Sequence, residues 1–126
     1  MMKVLIVDDS TYIRNTIRAT LEENGFEVVG EAKDGESAID LALDLNPDII
    51  TLDNILPDMT GMDVLKILRN NKLQAYVVMI SAIGQESSKA NADELGVNHY
   101  MIKPIDHKYL IDLLRSVEKN LSLIHI

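Results

Sequence analysis

Short apolar runs that stop at charged residues punctuate this chain. KVLIV ends at Asp8 and Asp9, DIITL at Asp53, and HYMI at Lys103. Runs of this length fit buried strands and are too short to span a bilayer. Between them lie stretches with apolar residues at helical spacing. Strict alternation of such strands with helices implies a parallel sheet covered on both faces. Parallel strands end on one common edge, so the three carboxylates and the ammonium converge there. Such a pocket suits a hard divalent cation and a phosphoryl group.

The pattern gives five β/α units. Strands are expected at residues 3–7, 27–32, 48–52, 76–80 and 99–102. The first helix is expected over about 10–24, with Ile13, Ile17 and Leu21 as its stripe, Ser10 or Thr11 as its cap and Gly25 at its end. After the Asp34-Gly35 turn comes a helix near 36–45, carrying Ala38, Leu41, Ala42 and Leu45 and stopped by Asn46-Pro47. A loop with Pro57-Asp58 and Gly61 precedes a helix holding Val64, Leu65 and Leu68. A small-residue stretch, 81–88, leads to a fourth helix ending near Gly96. The fifth begins near Asp106, with Leu110, Leu113, Leu114 and Val117 as its stripe. Crossovers are expected to be right-handed. In such sheets the site lies beyond the carboxyl ends of the strands, where the strand order reverses.

At 126 residues the chain is one domain by length. It has no cysteine, which removes disulfides, thiol nucleophiles and thiolate metal sites. The net charge of −8 argues against nucleic-acid binding by this domain. No long apolar stretch or secretory signal is visible, so a cytoplasmic protein without membrane contact is expected. Residues 121–126, LSLIHI, break the polar/apolar logic of the last helix. They are similar to the translation of a transposon-end sequencing adapter. The expectation is a domain over 1–120, with 121–126 a cloning or sequencing scar, or else a short tail.

Each polar residue has a simpler reading when taken alone. Asp8 and Asp9 suit the N-terminus of the first helix. Asp53 suits a turn, Lys103 a solvated strand end, Ser81 a cap, and Tyr100 a strand with its hydroxyl wet. Taken together, Asp8-Asp9, Asp53, Ser81 and Lys103-Pro104, in the strings DDS, LDNILPDMTG and IKP, resemble the receiver domain of two-component response regulators, in particular the CheY-like chemotaxis type. The resemblance runs from Lys3 to about Lys119. It implies a flavodoxin-like (CheY-like) three-layer sandwich with five helices and a five-stranded parallel sheet in the order 2-1-3-4-5.

The resemblance also implies roles. Asp53 would be the phosphoacceptor, attacking phosphorus in-line. Asp8 and Asp9, with Asp53 and the backbone carbonyl of Ile55, would hold Mg²⁺. Lys103 would pair with phosphoryl oxygens as a point charge. Ser81 and Tyr100 match the family's switch pair: Ser81 is drawn to the phosphoryl group and makes room for the ring to turn inward. Pro104 matches a proline usually preceded by a cis bond. The domain would be regulatory rather than an enzyme, promoting only its own phosphorylation and dephosphorylation. Its partners would be a sensor histidine kinase and a downstream target, bound through the fourth helix, fifth strand and fifth helix (residues 86–95, 99–102 and 106–117).

Two positions depart from the chemotaxis pattern. Ile55 and Ile83 lie two residues after Asp53 and Ser81, where polar side chains can orient a hydrolytic water. Slower loss of phosphate follows. An alternative reading is the N-terminal receiver of a longer regulator with a DNA-binding or enzymatic output. An aspartyl-nucleophile Mg²⁺ phosphatase fits less well, since such enzymes carry D-x-D-x-T after the first strand. A flavodoxin-like nucleotide binder would meet repulsion from Asp8 and Asp9.

Overall fold

The computed structural model describes residues 1–82 and 96–124, with side chains through Asn120. Its strands are β1 (Lys3–Val7), β2 (Glu27–Ala32), β3 (Ile49–Asp53), β4 (Tyr76–Ser81) and β5 (His99–Ile102). They form one parallel sheet in the order β2-β1-β3-β4-β5, as the family resemblance implies. The described helices are α1 (Thr11–Glu23), α2 (Gly35–Leu45), α3 (Gly61–Asn70) and α4 (His107–Ile124). Five helices were expected and four are described. The one placed between β4 and β5 lies outside the described residues. α4, expected as the fifth helix, continues past Asn120.

Strand alternation divides the core in two. Val4, Ile6 and Ile49 pack with Ile17 and Leu21 of α1 and Leu110, Leu114 and Val117 of α4. Leu5, Val7 and Leu52 face the other way, onto Ala38 and Ala42 of α2 and Val64, Leu65 and Leu68 of α3. Each such aliphatic side chain contributes about 2 kcal/mol on burial, and the two layers hold the sheet between them. No described helix is long and apolar enough to cross a membrane.

Helix ends follow local chemistry. Ser10 caps α1 by accepting from Ile13 N–H, Asp34 caps α2 through Ser37 N–H, and Thr60 with Asp63 forms a capping box on α3. Gly25, at φ +85°, takes the chain out of α1, where a side chain would be strained. Two strands run one residue further than expected. Asp53 pairs in register with Ile80, and Ser81 with Ile102. Both residues are therefore held by the ladder rather than by a loop.

Thr51 is the exception in the central strand. It is buried, and its hydroxyl has no hydrogen-bond partner among the described residues. Thr51→Val keeps the shape and removes the unsatisfied group, so it should stabilise the fold by about 1 kcal/mol. A higher denaturant midpoint at unchanged slope is the expected readout. A lower midpoint would show that the hydroxyl is satisfied.

Candidate functional site

Four strand ends build the site. β1 delivers Asp8, β3 ends on Asp53, β4 on Ser81, and Lys103 follows β5. Asp8 and Asp53 are 2% and 5% exposed, while Asp9 faces solvent. Each buried carboxylate divides its oxygens between two donors. Asp8 Oδ1 accepts from Ser10 N–H at 2.9 Å, and its Oδ2 lies 3.1 Å from Lys103 Nζ. Asp53 Oδ1 accepts from Ile55 N–H at 3.1 Å, and its Oδ2 lies 3.3 Å from the same ammonium. Lys103 therefore bridges the acidic residues of β1 and β3.

The electrostatics follow from burial and proximity. Burial raises the Asp53 carboxyl above its ordinary range, and the Asp8 charge raises it further. The Ile55 N–H and Lys103 oppose this only in part. Burial by itself would lower the Lys103 ammonium. The Asp53 and Asp8 charges outweigh that, and the net shift is upward.

One carboxylate oxygen from each of Asp8, Asp9 and Asp53 fits within a 4.8 Å span. Octahedral Mg²⁺ at about 2.1 Å per ligand needs oxygens roughly 3 to 4.2 Å apart. The all-oxygen donor set suits that ion, and the 4.8 Å span brackets the spacing it needs. Ile55 lies at the start of the β3–α3 loop and is 57% exposed.

Ser81 is buried, and its hydroxyl donates to the Tyr100 hydroxyl at 2.7 Å. The expected switch residues thus touch directly. The Lys103-Pro104 peptide is cis. Ile83 lies outside the described residues, as does the 86–95 part of the expected target surface.

Sequence reading missed Arg14, Glu31, Asn54 and Asp58. Arg14 donates to the Asp8 carbonyl and pairs with Glu31. Asn54 is buried behind Asp53, with its Oδ1 accepting from Met62 N–H at 3.3 Å. Asp58 accepts from Gly35 and Glu36 N–H groups of α2. Most of these contacts end on backbone atoms, which leave no mark in a sequence.

Residues 4–115 match the response regulator receiver domain family. The chemotaxis protein CheY of Bacillus subtilis is 35% identical over 112 residues, covering 89% of this chain and 93% of that protein. Among solved structures, the receiver domain of AraT from Geobacillus stearothermophilus superposes with a TM-score of 0.89 at 33% identity, covering 99% of this chain and 98% of that one. A chain of the CheX-CheY-BeF3-Mg complex from Borrelia burgdorferi superposes with a TM-score of 0.83 at 34% identity, covering 92% and 88%.

Proposed function

Because the chain belongs to the response regulator receiver domain family, we propose that it is a phosphorylation-controlled switch that takes a phosphoryl group onto Asp53 from a histidine kinase, with Mg²⁺, and thereby changes its affinity for a target. The observation that carries this reading is the buried Asp8–Lys103–Asp53 bridge beside the three-carboxylate cluster. It unites a nucleophile, cation ligands and a fixed positive charge at one sheet edge.

In this reading an Asp53 oxygen forms the new bond to phosphorus as the bond to the donor imidazole nitrogen breaks, and the imidazole leaves with its electron pair. The attack brings anion toward anion. Mg²⁺, when held by Asp8, Asp9, Asp53 and the Ile55 carbonyl, supplies charge neutralisation for the transferring group. Lys103 leaves its ion pair with Asp53 to contact phosphoryl oxygens, so the charge that balanced the acceptor now senses the product. Ser81 has one hydroxyl proton, which is donated to Tyr100 before phosphorylation. Turning that proton toward a phosphoryl oxygen alters the contact holding the Tyr100 ring, which links the site to β5.

The target surface in this reading includes β5 and α4, where Ile102 and Tyr109 are each 47% exposed. The CheY relative and the CheX-CheY complex support a chemotaxis target and a cytoplasmic setting. Residues 1–120 are taken as the receiver unit, and 121–126 as a tail or scar.

Incubation with acetyl phosphate and Mg²⁺, read by intact mass, tests the core claim. One phosphoryl adduct is expected in the wild type and none in Asp53→Ala. An undiminished adduct in the variant would refute the assignment. The apolar pair at 55 and 83 yields a second prediction. Ile55→Asn with Ile83→Glu supplies groups that orient water, so the adduct should decay about tenfold faster. An unchanged lifetime would remove that role for the two positions.

A further inference from the structure

Two side chains that supply no ligand atom grip the loops that would. Arg14 lies in the first turns of α1 with its side chain 14% exposed. Its Nη1 donates to the Asp8 carbonyl at 2.6 Å, its Nη2 to Thr11 Oγ1 at 3.2 Å, and its Nε to Glu31 Oε1 at 3.1 Å. That carbonyl belongs to the peptide joining Asp8 to Asp9, so the guanidinium fixes the plane from which Asp9 emerges. The N–H of Asp8 is held as well, donating to Ala32 O at 3.0 Å.

Asp58 does the corresponding work on the β3–α3 loop, three residues beyond Ile55. Its Oδ1 accepts from Gly35 N–H at 2.7 Å and its Oδ2 from Glu36 N–H at 3.0 Å. Both grips end on the same stretch, residues 31–36, where β2 passes into α2. This stretch contributes nothing to the candidate ligand set.

We propose that Arg14 and Asp58 are positioning residues that tie the two metal-bearing loops to the β2–α2 segment, so that residues 31–36 set the spacing of the Mg²⁺ ligands. The proposal rests on the reading of Asp8, Asp9, Asp53 and the Ile55 carbonyl as that ligand set. Mg²⁺ demands near-ideal octahedral geometry. A loop released from its anchor must be ordered again on binding, which weakens affinity. Partners that orient ligands characteristically change metal affinity by about 10- to 100-fold when removed.

Two arginines serve as matched controls. Arg18 also pairs with Glu31, but its other ion pair is to Glu22 on its own helix. Arg69 likewise donates to backbone carbonyls, those of Leu73 and Gly96, away from residues 31–36. Calorimetric titration of the full chain with MgCl₂ separates positioning from general stability. Arg14→Gln and Asp58→Ala should each raise the Mg²⁺ Kd about tenfold, whereas Arg18→Gln and Arg69→Gln leave it unchanged. Circular dichroism melts in EDTA establish that each variant is folded. Should Arg14→Gln fail to fold, Glu31→Gln, which frees Arg14 from β2, is expected to weaken binding in the same direction. Unchanged Kd in the Arg14 and Asp58 variants, or equal losses in the controls, would overturn the positioning role alone. A folded wild type that binds no Mg²⁺ would overturn the ligand assignment and the proposal together.

Discussion

Lys103→Met should destabilise the protein by about 3 kcal/mol at neutral pH without Mg²⁺, because it leaves two buried carboxylates facing each other with no counter-charge. Asp53→Asn should shift stability the other way. The ammonium lies within 3.1 and 3.3 Å of Asp8 and Asp53, both of which are almost fully buried. Removing it abolishes both attractions and retains the cost of desolvating both carboxylates. Removing the Asp53 charge eliminates a carboxylate that burial and Asp8 already disfavour, while Lys103 keeps Asp8 as its partner. The double variant should therefore be more stable than Lys103→Met alone.

The pH dependence has a definite sign. A carboxyl whose folded pKa is raised contributes stability that is present below its unfolded value of about 4 and lost as pH rises through the folded value. The advantage of Asp53→Asn should thus shrink as the medium becomes acidic. Lys103 is also raised. Its contribution is present below about pH 10.4, the unfolded value, and lost as pH climbs through the folded pKa. The deficit of Lys103→Met should then persist through neutrality, narrowing in strong base as the ammonium is lost and in acid as the carboxylates it balances are neutralised. Urea midpoints in EDTA across pH measure both. A destabilised Asp53→Asn, or a double variant no better than Lys103→Met, would contradict this account.

What the sequence revealed, and what it hid, has a physical origin. Asp8 was legible because β1, buried on both faces, is nearly continuous in apolar residues and its end is abrupt; Lys103 follows β5, a partly exposed edge strand whose short apolar run still ends sharply. Asp53 was placed just beyond its strand for the same reason, whereas it is the last rung, paired with Ile80. A charged residue can remain in a ladder when its side chain finds the Ile55 N–H and Lys103. Ser81 and Tyr100 were recognisable as a pair only through family resemblance, since no periodicity marks a contact across 19 residues. Arg14 and Asp58 were invisible for a deeper reason. Their loop-holding contacts end on the Asp8 carbonyl and on the Gly35 and Glu36 N–H groups, and every residue but proline offers both kinds of atom.

Gly61→Ala should cost about 2–3 kcal/mol of stability and slow phosphorylation of Asp53 by about 100-fold. A Cβ at Gly61 would lie 2.5 Å from the Asp53 carbonyl oxygen, 3.0 Å from Asn54 Cα and 3.1 Å from Met79 Sδ. The first two are backbone atoms at the β3 end that carries the proposed acceptor, and no rotamer change moves them. The Gly61 N–H is also committed, donating to the Asn54 carbonyl at 2.8 Å. To relieve the clash, either α3 must retreat from the sheet or the Asp53 backbone must move. The first opens the layer formed by Val64, Leu65 and Leu68, and the second misplaces the proposed nucleophile. Gly35 provides the contrast. A Cβ there would meet Met59 at its Cγ, Sδ and Cε, 2.3 to 3.1 Å away, but an unbranched thioether chain can swing aside. Met59 must then turn from its Cβ outward, so Gly35→Ala should cost about 1 kcal/mol, offset in part by alanine's better fit to the first turn of α2, and leave phosphorylation near the wild-type rate. Denaturation midpoints, with the rate of adduct formation from acetyl phosphate, measure both substitutions. Equal behaviour of the two alanine variants would mean that the close approach of α3 to the Asp53 backbone does not set the position of the proposed acceptor.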